Sequence, residues 1–245
     1  MPIPLKQAIK IGAYVMRQKL KGRERYPLVL MLEPLFRCNL ECIGCGKIQK
    51  PNEILNKNLT IAQCLNAAKE CGAPVVSIAG GEPLMHPEIV EIVEGLIKQK
   101  RYIYLCTNAL LLKNFFGKLP ISPFLTLSIH LDGLEDDHDR IVDQKGVFKI
   151  AVESVREAKK MGYRVTSATT FFEGTTIEQA ETFLDFLNPL GIDGVTLSSA
   201  FRYPDAPDQD HFFGRKRTQE FFKELLEKNK KGRWDISHSP LYLEF

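Results

Sequence analysis

The chain has 245 residues, enough for one large α/β domain or two small ones with a sizeable core. It is 44% hydrophobic and 26% charged, as globular proteins are, and a net charge of +3 gives no footing for a nucleic-acid partner. No apolar run approaches the roughly 18 residues of a membrane span, and the opening lacks the apolar core and cleavage site of a secretory signal, so a cytoplasmic protein is expected, with six unevenly clustered cysteines serving metal or redox chemistry rather than disulfides.

Residues 5–20 read as an amphipathic helix. Leu5, Ala8, Ile9, Gly12, Ala13, Met16 and Leu20 fall near one face, with Lys6, Lys10, Arg17, Lys19 and Lys21 beside it. Two readings stand: a basic face on an anionic membrane surface, or a helix packed on the rest of the fold. "LVLMLEPL", 28–35, then predicts a buried strand. A helix follows at 60–71, with Asn58 as a plausible cap. "VVSIAG" (strand), a helix over 87–99, "YIYLCTN" (strand) and a short helical piece near 111–116 come next. "FLTLSIHLD" (strand), a helix over 147–161, "RVTSATTFF" (strand), a helix over 177–187, "GVTLSSA" (strand) and a helix over 215–230 complete the series. Six strands alternating with helices argue for parallel βαβ units. The strands are short and rich in β-branched residues, as strands covered on both faces are. The pattern fits a doubly wound open sheet and a full or partial barrel equally. In either, ligands sit at the C-terminal ends of the strands, where "RCNLECIGCGK", "GGEP", "CTNA", "HLDG" and "SSAFRYP" all fall.

Three cysteines, Cys38, Cys42 and Cys45, share the loop after the first strand with C-x3-C-x2-C spacing. Structural zinc wants four ligands, usually as two separated pairs. Cys64 and Cys71 lie seven apart in a predicted helix, and neither His86 nor His130 has zinc-finger spacing. Three thiols in a polar loop also fit a buried structural role poorly. An iron–sulfur cubane accounts for the missing ligand: thiolates normally hold all four irons, and three leave one iron open for an exogenous ligand.

This cysteine spacing after a first strand resembles the radical S-adenosylmethionine (radical SAM) superfamily. The resemblance implies a partial (β/α)6 parallel barrel with an N-terminal helix, a 4Fe-4S cluster on Cys38, Cys42 and Cys45, and SAM chelated to the open iron. "GGEP", Gly80, Gly81, Glu82 and Pro83, stands where that family binds methionine; its glycines allow close backbone approach, and Glu82 supplies a carboxylate for the ammonium. Ser128, His130 and Asp132 share one strand parity and make a polar face toward SAM's ribose and carboxylate, although His130 also reads as a satisfied buried histidine. Asn108, Thr169 and Ser198 at other strand ends are further candidates for contacts to SAM, with solvated strand ends as the plain alternative for Thr169 and Ser198.

The first 49 residues, "SIAGGEPLMHPEI", "LCTNALLL", "SIHLDG" and "HSPLYLEF" further resemble the adenosylhopane synthase family. That resemblance implies addition of the 5′-deoxyadenosyl radical to the alkene of diploptene, a triterpene, at the inner face of the cytoplasmic membrane, with flavodoxin or ferredoxin as electron donor. The alternatives are hydrogen abstraction from a peptide or small molecule, and a non-catalytic iron–sulfur protein. A tertiary carbon radical left by the addition needs a hydrogen atom. Cys106, in parity with Tyr104 and Asn108, is the non-cluster cysteine at the catalytic face; it reads as donor or as a small buried hydrophobe. The expected organisation is a basic amphipathic helix over 1–26, a core over 27–230, and the start of a truncated C-terminal extension over 231–245.

Overall fold

The computed structural model describes residues 3–203 and 205–237. The closing "HSPLYLEF", 238–245, which carries part of the resemblance and most of the expected extension, lies outside the described residues, as do Met1, Pro2 and Pro204. Six parallel strands form one sheet in sequence order: β1 (Val29–Leu32), β2 (Val75–Ile78), β3 (Tyr102–Thr107), β4 (Leu125–His130), β5 (Arg164–Phe171) and β6 (Val195–Ser199). Helix α1 (Leu5–Leu20) precedes the sheet, and the short α2 (Asn52–Leu55) and α3 (Ile61–Cys71) connect β1 to β2. After β2 come α4 (Ile89–Lys98), and after β4 α5 (Glu135–Ile141) and α6 (Val147–Met161). Then α7 (Ile177–Leu187) leads to β6, and α8 (Arg215–Lys228) follows it. Strands β3 and β4 are joined through a single 3-10 turn, Leu112–Phe115. The result is the α/β half-barrel that the resemblance implies, one of the two architectures the alternation left open.

The sheet is apolar on its outer face only. Val76, Ile78, Ile103, Leu105, Leu127, Ile129 and Val165 are fully buried against Ile92, Val93 and Leu96 of α4 and Val155 and Ala158 of α6. The opposite parity carries Ser77, Tyr104, Cys106, Thr126, Ser128, Thr166 and Ser198, with Cys106 registered to Ser128 and Ser128 to Thr166. The expectation of strands covered by apolar contacts on both faces is therefore corrected: the inner face is a hydroxyl-rich barrel lining.

Strand β1 also departs from its reading. It spans four residues, not eight, and Val29 and Met31 are 49% and 62% exposed. It has a neighbour on one side only, and Met31, registered to Ser77, shares that residue's inner parity without lining the cavity. At the other edge, the chain after α8 returns beside β6: Val195 N donates to Asp235 O at 2.8 Å and Ser237 N to Val195 O at 2.7 Å.

Helix α3 begins at a capping box. Gln63 N donates to Thr60 Oγ1 at 3.3 Å and Thr60 N to Gln63 Oε1 at 2.8 Å. Thr60, rather than Asn58, is the cap; Asn58 instead accepts from Arg37 at 2.9 Å and bridges Leu35. Thr176 and Gln179 repeat the box on α7.

Helix α1 meets the protein along a mixed face of Gln7, Ile11, Tyr14, Val15 and Gln18. Gln7 and Gln18 are its buried residues, whereas Leu5, Ile9, Met16 and Leu20 are 62–82% exposed. Its apolar stripe does not pack on the barrel.

Candidate active site

The loop between β1 and α2 is held from several sides. Leu40 is buried with Val142 and Val147, and Cys38 and Cys42 pack against that cluster. Ile43 N donates to Ile141 O and Cys45 N to Cys42 O, both at 3.0 Å. Gly44 and Gly46 sit where a Cβ would lie 2.7 Å from the Phe172 ring and 2.2 Å from the Tyr203 ring. Cys38, Cys42 and Cys45 are all free thiols and all line one cavity of about 440 Å³ at the C-terminal ends of the strands.

Burial pushes the Cys38 thiol up to about 11 and Cys42 further still, and the neighbouring thiols add to the rise, Cys45 for Cys38 and both Cys38 and Cys45 for Cys42. They need a cationic centre to become thiolates together. Among the described residues, no three His, Cys, Asp or Glu side chains converge on a point that could hold a single metal ion. Three thiols on one short loop, with no fourth protein ligand beside them, suit a cubane in which each thiolate takes a different iron. The two histidines weighed as a fourth zinc ligand are engaged elsewhere: His86 Nε2 bonds Leu59 O at 2.8 Å, and His130 pairs with Asp132.

The "GGEP" stretch continues β2 and is hydrogen-bonded to the cysteine loop. Gly81 N donates to Leu35 O at 3.1 Å and Glu82 N to Arg37 O at 2.8 Å. A Cβ on Gly80, whose φ is +111°, would lie 2.2 Å from Leu35 O, and one on Gly81 would lie 1.9 Å from Arg37 O. The glycines thus admit the cysteine loop's backbone, a closer demand than the ligand approach expected of them. Pro83 is buried at the start of a 3-10 turn and does not line the cavity, so its expected cofactor contact is corrected to a structural place.

Glu82 is 1% exposed, yet its carboxylate borders the cavity. Oε1 accepts from Leu84 N at 3.0 Å and Thr107 Oγ1 at 2.8 Å, and Oε2 from Asn108 N at 2.8 Å. Burial raises its pKa, and these three bonds oppose the rise. Among the described residues, no Lys or Arg lines the cavity. A buried carboxylate held by neutral donors, with capacity left on Oε2, is suited to an ammonium group from outside the chain.

Ser128, His130 and Asp132 line the cavity together. His130 Nε2 lies 2.5 Å from Asp132 Oδ2. Burial works against the His130 cation, but the Asp132 carboxylate outweighs it and raises the pKa. Asp132 Oδ1 in turn accepts from Thr170 N at 2.8 Å. Behind it stands His138 of α5, 1% exposed, whose Nδ1 accepts from Asp132 N at 3.2 Å. Burial and the neighbouring His130 lower its pKa to about 4, so it is neutral. Sequence reasoning missed His138, because α5 itself was not predicted.

Asn108 and Ser198 line the cavity. Asn108 Nδ2 donates to Asn39 Oδ1 at 2.8 Å and lies 3.8 Å from Cys38 Sγ. Thr169 does not reach it: it faces outward and donates to Leu131 O at 2.7 Å. Thr170, registered to Ser198 and 3.2 Å from its hydroxyl, takes that place. Cys106 lines the cavity floor 3.5 Å from Ser77 Oγ and beside Ser128. Burial raises its pKa, which keeps the S–H hydrogen in place. The opposite wall is apolar: Leu40, Ile141, Phe172, Ala200, Phe201 and Phe212, with Phe201 73% exposed at the mouth. Only spatial proximity assembles this wall, so no sequence motif marks it.

Comparisons with known proteins agree with this geometry. Residues 32–187 match the Radical SAM superfamily, and residues 195–245 match a domain of unknown function (DUF3463). The probable GTP 3′,8-cyclase of Methanococcus maripaludis (strain C7) is 24% identical over 221 residues, 86% of this chain and 73% of the relative. The GTP 3′,8-cyclase of Petrotoga mobilis is 28% identical over 156 residues, 61% of this chain and 48% of the relative. Among solved structures, Streptococcus suis SuiB bound to S-adenosylmethionine superposes with a TM-score of 0.75 at 18% identity, over 92% of this chain and 53% of that one. TYW1 with a lysine-pyruvate adduct bound gives 0.60 at 16% identity, over 89% and 81%. The chain thus spans between about half and three quarters of the relatives it matches in sequence.

Proposed function

The chain belongs to the radical SAM superfamily, whose enzymes use a 4Fe-4S cluster and SAM, and from that premise we propose that it transfers the 5′-deoxyadenosyl group to the alkene of an apolar triterpene such as diploptene. The observation that carries this reading is the apolar wall of Ile141, Phe172, Phe201 and Phe212, which shares one cavity with the three thiols and with Cys106. The sequence resemblance to adenosylhopane synthases supports the same substrate.

When bound, the cluster and SAM together supply the 5′-deoxyadenosyl radical. Cys38, Cys42 and Cys45 are assigned to three irons. Glu82 would hold the methionine ammonium, and Gly80 and Gly81 keep the backbone close enough for the two motifs to share one ligand. Ser128, Asn108, Thr170 and Ser198 offer hydrogen bonds to the ribose and carboxylate, while Asp132 orients His130 toward the same space. The phenylalanine wall binds the alkene end and excludes water from a carbon radical. Cys106 gives its S–H hydrogen atom to the tertiary carbon radical left after the C–C bond forms. The thiyl returns to thiol by taking one electron and one proton, the electron coming from a donor of the flavodoxin or ferredoxin class.

A second reading is hydrogen abstraction from a peptide or polar small molecule. The names of the relatives favour it: two are GTP 3′,8-cyclases, and a further solved neighbour, with a TM-score of 0.73, is SuiB bound to its precursor peptide SuiA. Among the described residues no Lys or Arg lines the cavity, which weighs against a triphosphate there. Anaerobic reconstitution followed by SAM, dithionite and diploptene, read by mass spectrometry, separates the readings. The proposal expects a product with the combined mass of adenosyl group and hopanoid. Free 5′-deoxyadenosine with unaltered diploptene sends the assignment to the second reading.

A further inference from the structure

The exposed face of α1 has the form of an in-plane lipid anchor. At about 100° per residue, Leu5, Ile9, Gly12, Ala13, Met16 and Leu20 fall within one arc of about 100°. Their outward aim is a property of the fold, because Gln7 holds Tyr104 OH at 3.3 Å and Tyr14 OH donates to Pro27 O at 2.8 Å on the other side. Cations flank the stripe on both sides: Lys6 and Arg17 along one edge, Lys19 along the other, with Lys21 and Arg23 just beyond the last turn, all exposed. Lys10 is different; it turns inward over the Tyr102 and Phe124 rings and donates to Lys100 O. Residues 1–23 contain no Asp or Glu.

We propose that α1 lies in the headgroup plane of an anionic bilayer, with Leu5, Ile9, Met16 and Leu20 inserted and Lys6, Arg17, Lys19 and Lys21 on lipid phosphates. Cations at both edges of an apolar strip, and just beyond its last turn, complement such a surface. A second copy of this chain fits the face poorly, since self-pairing brings like charges together over the same strip. The helix sits beside Tyr102 and Phe124, at the N-terminal ends of β3 and β4, whereas the cavity opens at the C-terminal ends. It therefore tethers the molecule without forming the cavity entrance, and its role is independent of which substrate the cavity takes.

The test is co-sedimentation of the full chain with vesicles of phosphatidylcholine alone or with phosphatidylglycerol added. Binding is expected only with phosphatidylglycerol, and it weakens as salt is raised. At about fivefold per basic residue near an anionic surface, Lys6→Gln, Arg17→Gln and Lys19→Gln together lower partition by roughly a hundredfold. Ile9→Ser with Met16→Ser lowers it by more than about tenfold. All five positions are exposed, and retained cluster absorbance reports that the fold is intact. Equal partition onto both vesicle types overturns the proposal. So does a dimer in sedimentation velocity that Ile9→Ser with Met16→Ser dissociates, which would assign the face to a second copy.

Discussion

Replacing Glu82 by Gln tests the methionine site at a single atom. The side chain keeps its shape, and its amide oxygen can still accept from Leu84 N and Thr107 Oγ1. The NH2 group then faces Asn108 N, a donor, at what is now a 2.8 Å contact. One buried donor loses its acceptor, which costs about 1–3 kcal/mol of stability. For a chain of this size that corresponds to roughly 2–4 °C in Tm per kcal/mol. The second loss is specific to the ligand: a charge-assisted hydrogen bond to the ammonium, about 1.5–3 kcal/mol, becomes a repulsive donor–donor contact. SAM affinity is expected to fall by roughly 10- to 150-fold or more, with the cluster retained. Calorimetric titration of SAM into the reconstituted protein measures it, and a thermal melt measures the structural part. A variant that melts lower yet binds SAM as tightly as the wild type refutes the ammonium assignment and leaves Glu82 a purely structural residue.

Gly81→Ala places a Cβ 1.9 Å from Arg37 O, so it should disturb the cysteine loop as well as SAM binding; a variant with full cluster absorbance contradicts this. Cys106→Ala should still cleave SAM and form the C–C bond, but yield falls and chromatography shows a mixture of epimers; Ser fares no better, and a single epimer at wild-type yield places the hydrogen donor elsewhere. His138 carries a depressed pKa of about 4 against an ordinary value near 6.5, so the unfolded chain takes up its proton first and stability falls as pH drops through that window. His138→Asn should remove up to about 3 kcal/mol of this pH dependence between pH 6.5 and 4, measured by urea unfolding at each pH. His130 has the opposite sign: its raised pKa stabilises the fold below the ordinary value and that contribution is lost as pH rises through the folded pKa. Asp132→Asn should move the His130 titration seen by NMR to lower pH, and an unmoved titration contradicts the pairing.

Much of this architecture is legible because its signals are local. Strand β4 announces its faces by alternation, Leu125, Leu127 and Ile129 against Ser128 and His130, and both faces stand where parity puts them. The bounds of α6 and α7 follow from apolar periodicity and, on α7, the Thr176–Gln179 box. What failed required tertiary knowledge. Helix α5 reads "EDDHDRI", with no apolar period, so its buried His138 went unseen. Thr170 rather than Thr169 reaches the cavity because register with Ser198, not composition, decides the face. The stripe on α1 was legible, but which side meets the barrel depends on Gln7 finding Tyr104, 97 residues away. The edge position of β1 likewise depends on the barrel being half closed, which no four-residue segment encodes.

Cys38, Cys42 and Cys45 are proposed to hold a cluster beside Glu82, with SAM cleaved there. The most direct measurement is 5′-deoxyadenosine formed from SAM and dithionite by the anaerobically reconstituted chain, compared with Cys38→Ala, Cys42→Ala and Cys45→Ala. Cleavage by the intact chain is expected, with each variant losing most of the brown absorbance and all cleavage. A fully loaded cluster that leaves SAM intact, or any one of the three variants cleaving SAM at the normal rate, would contradict it.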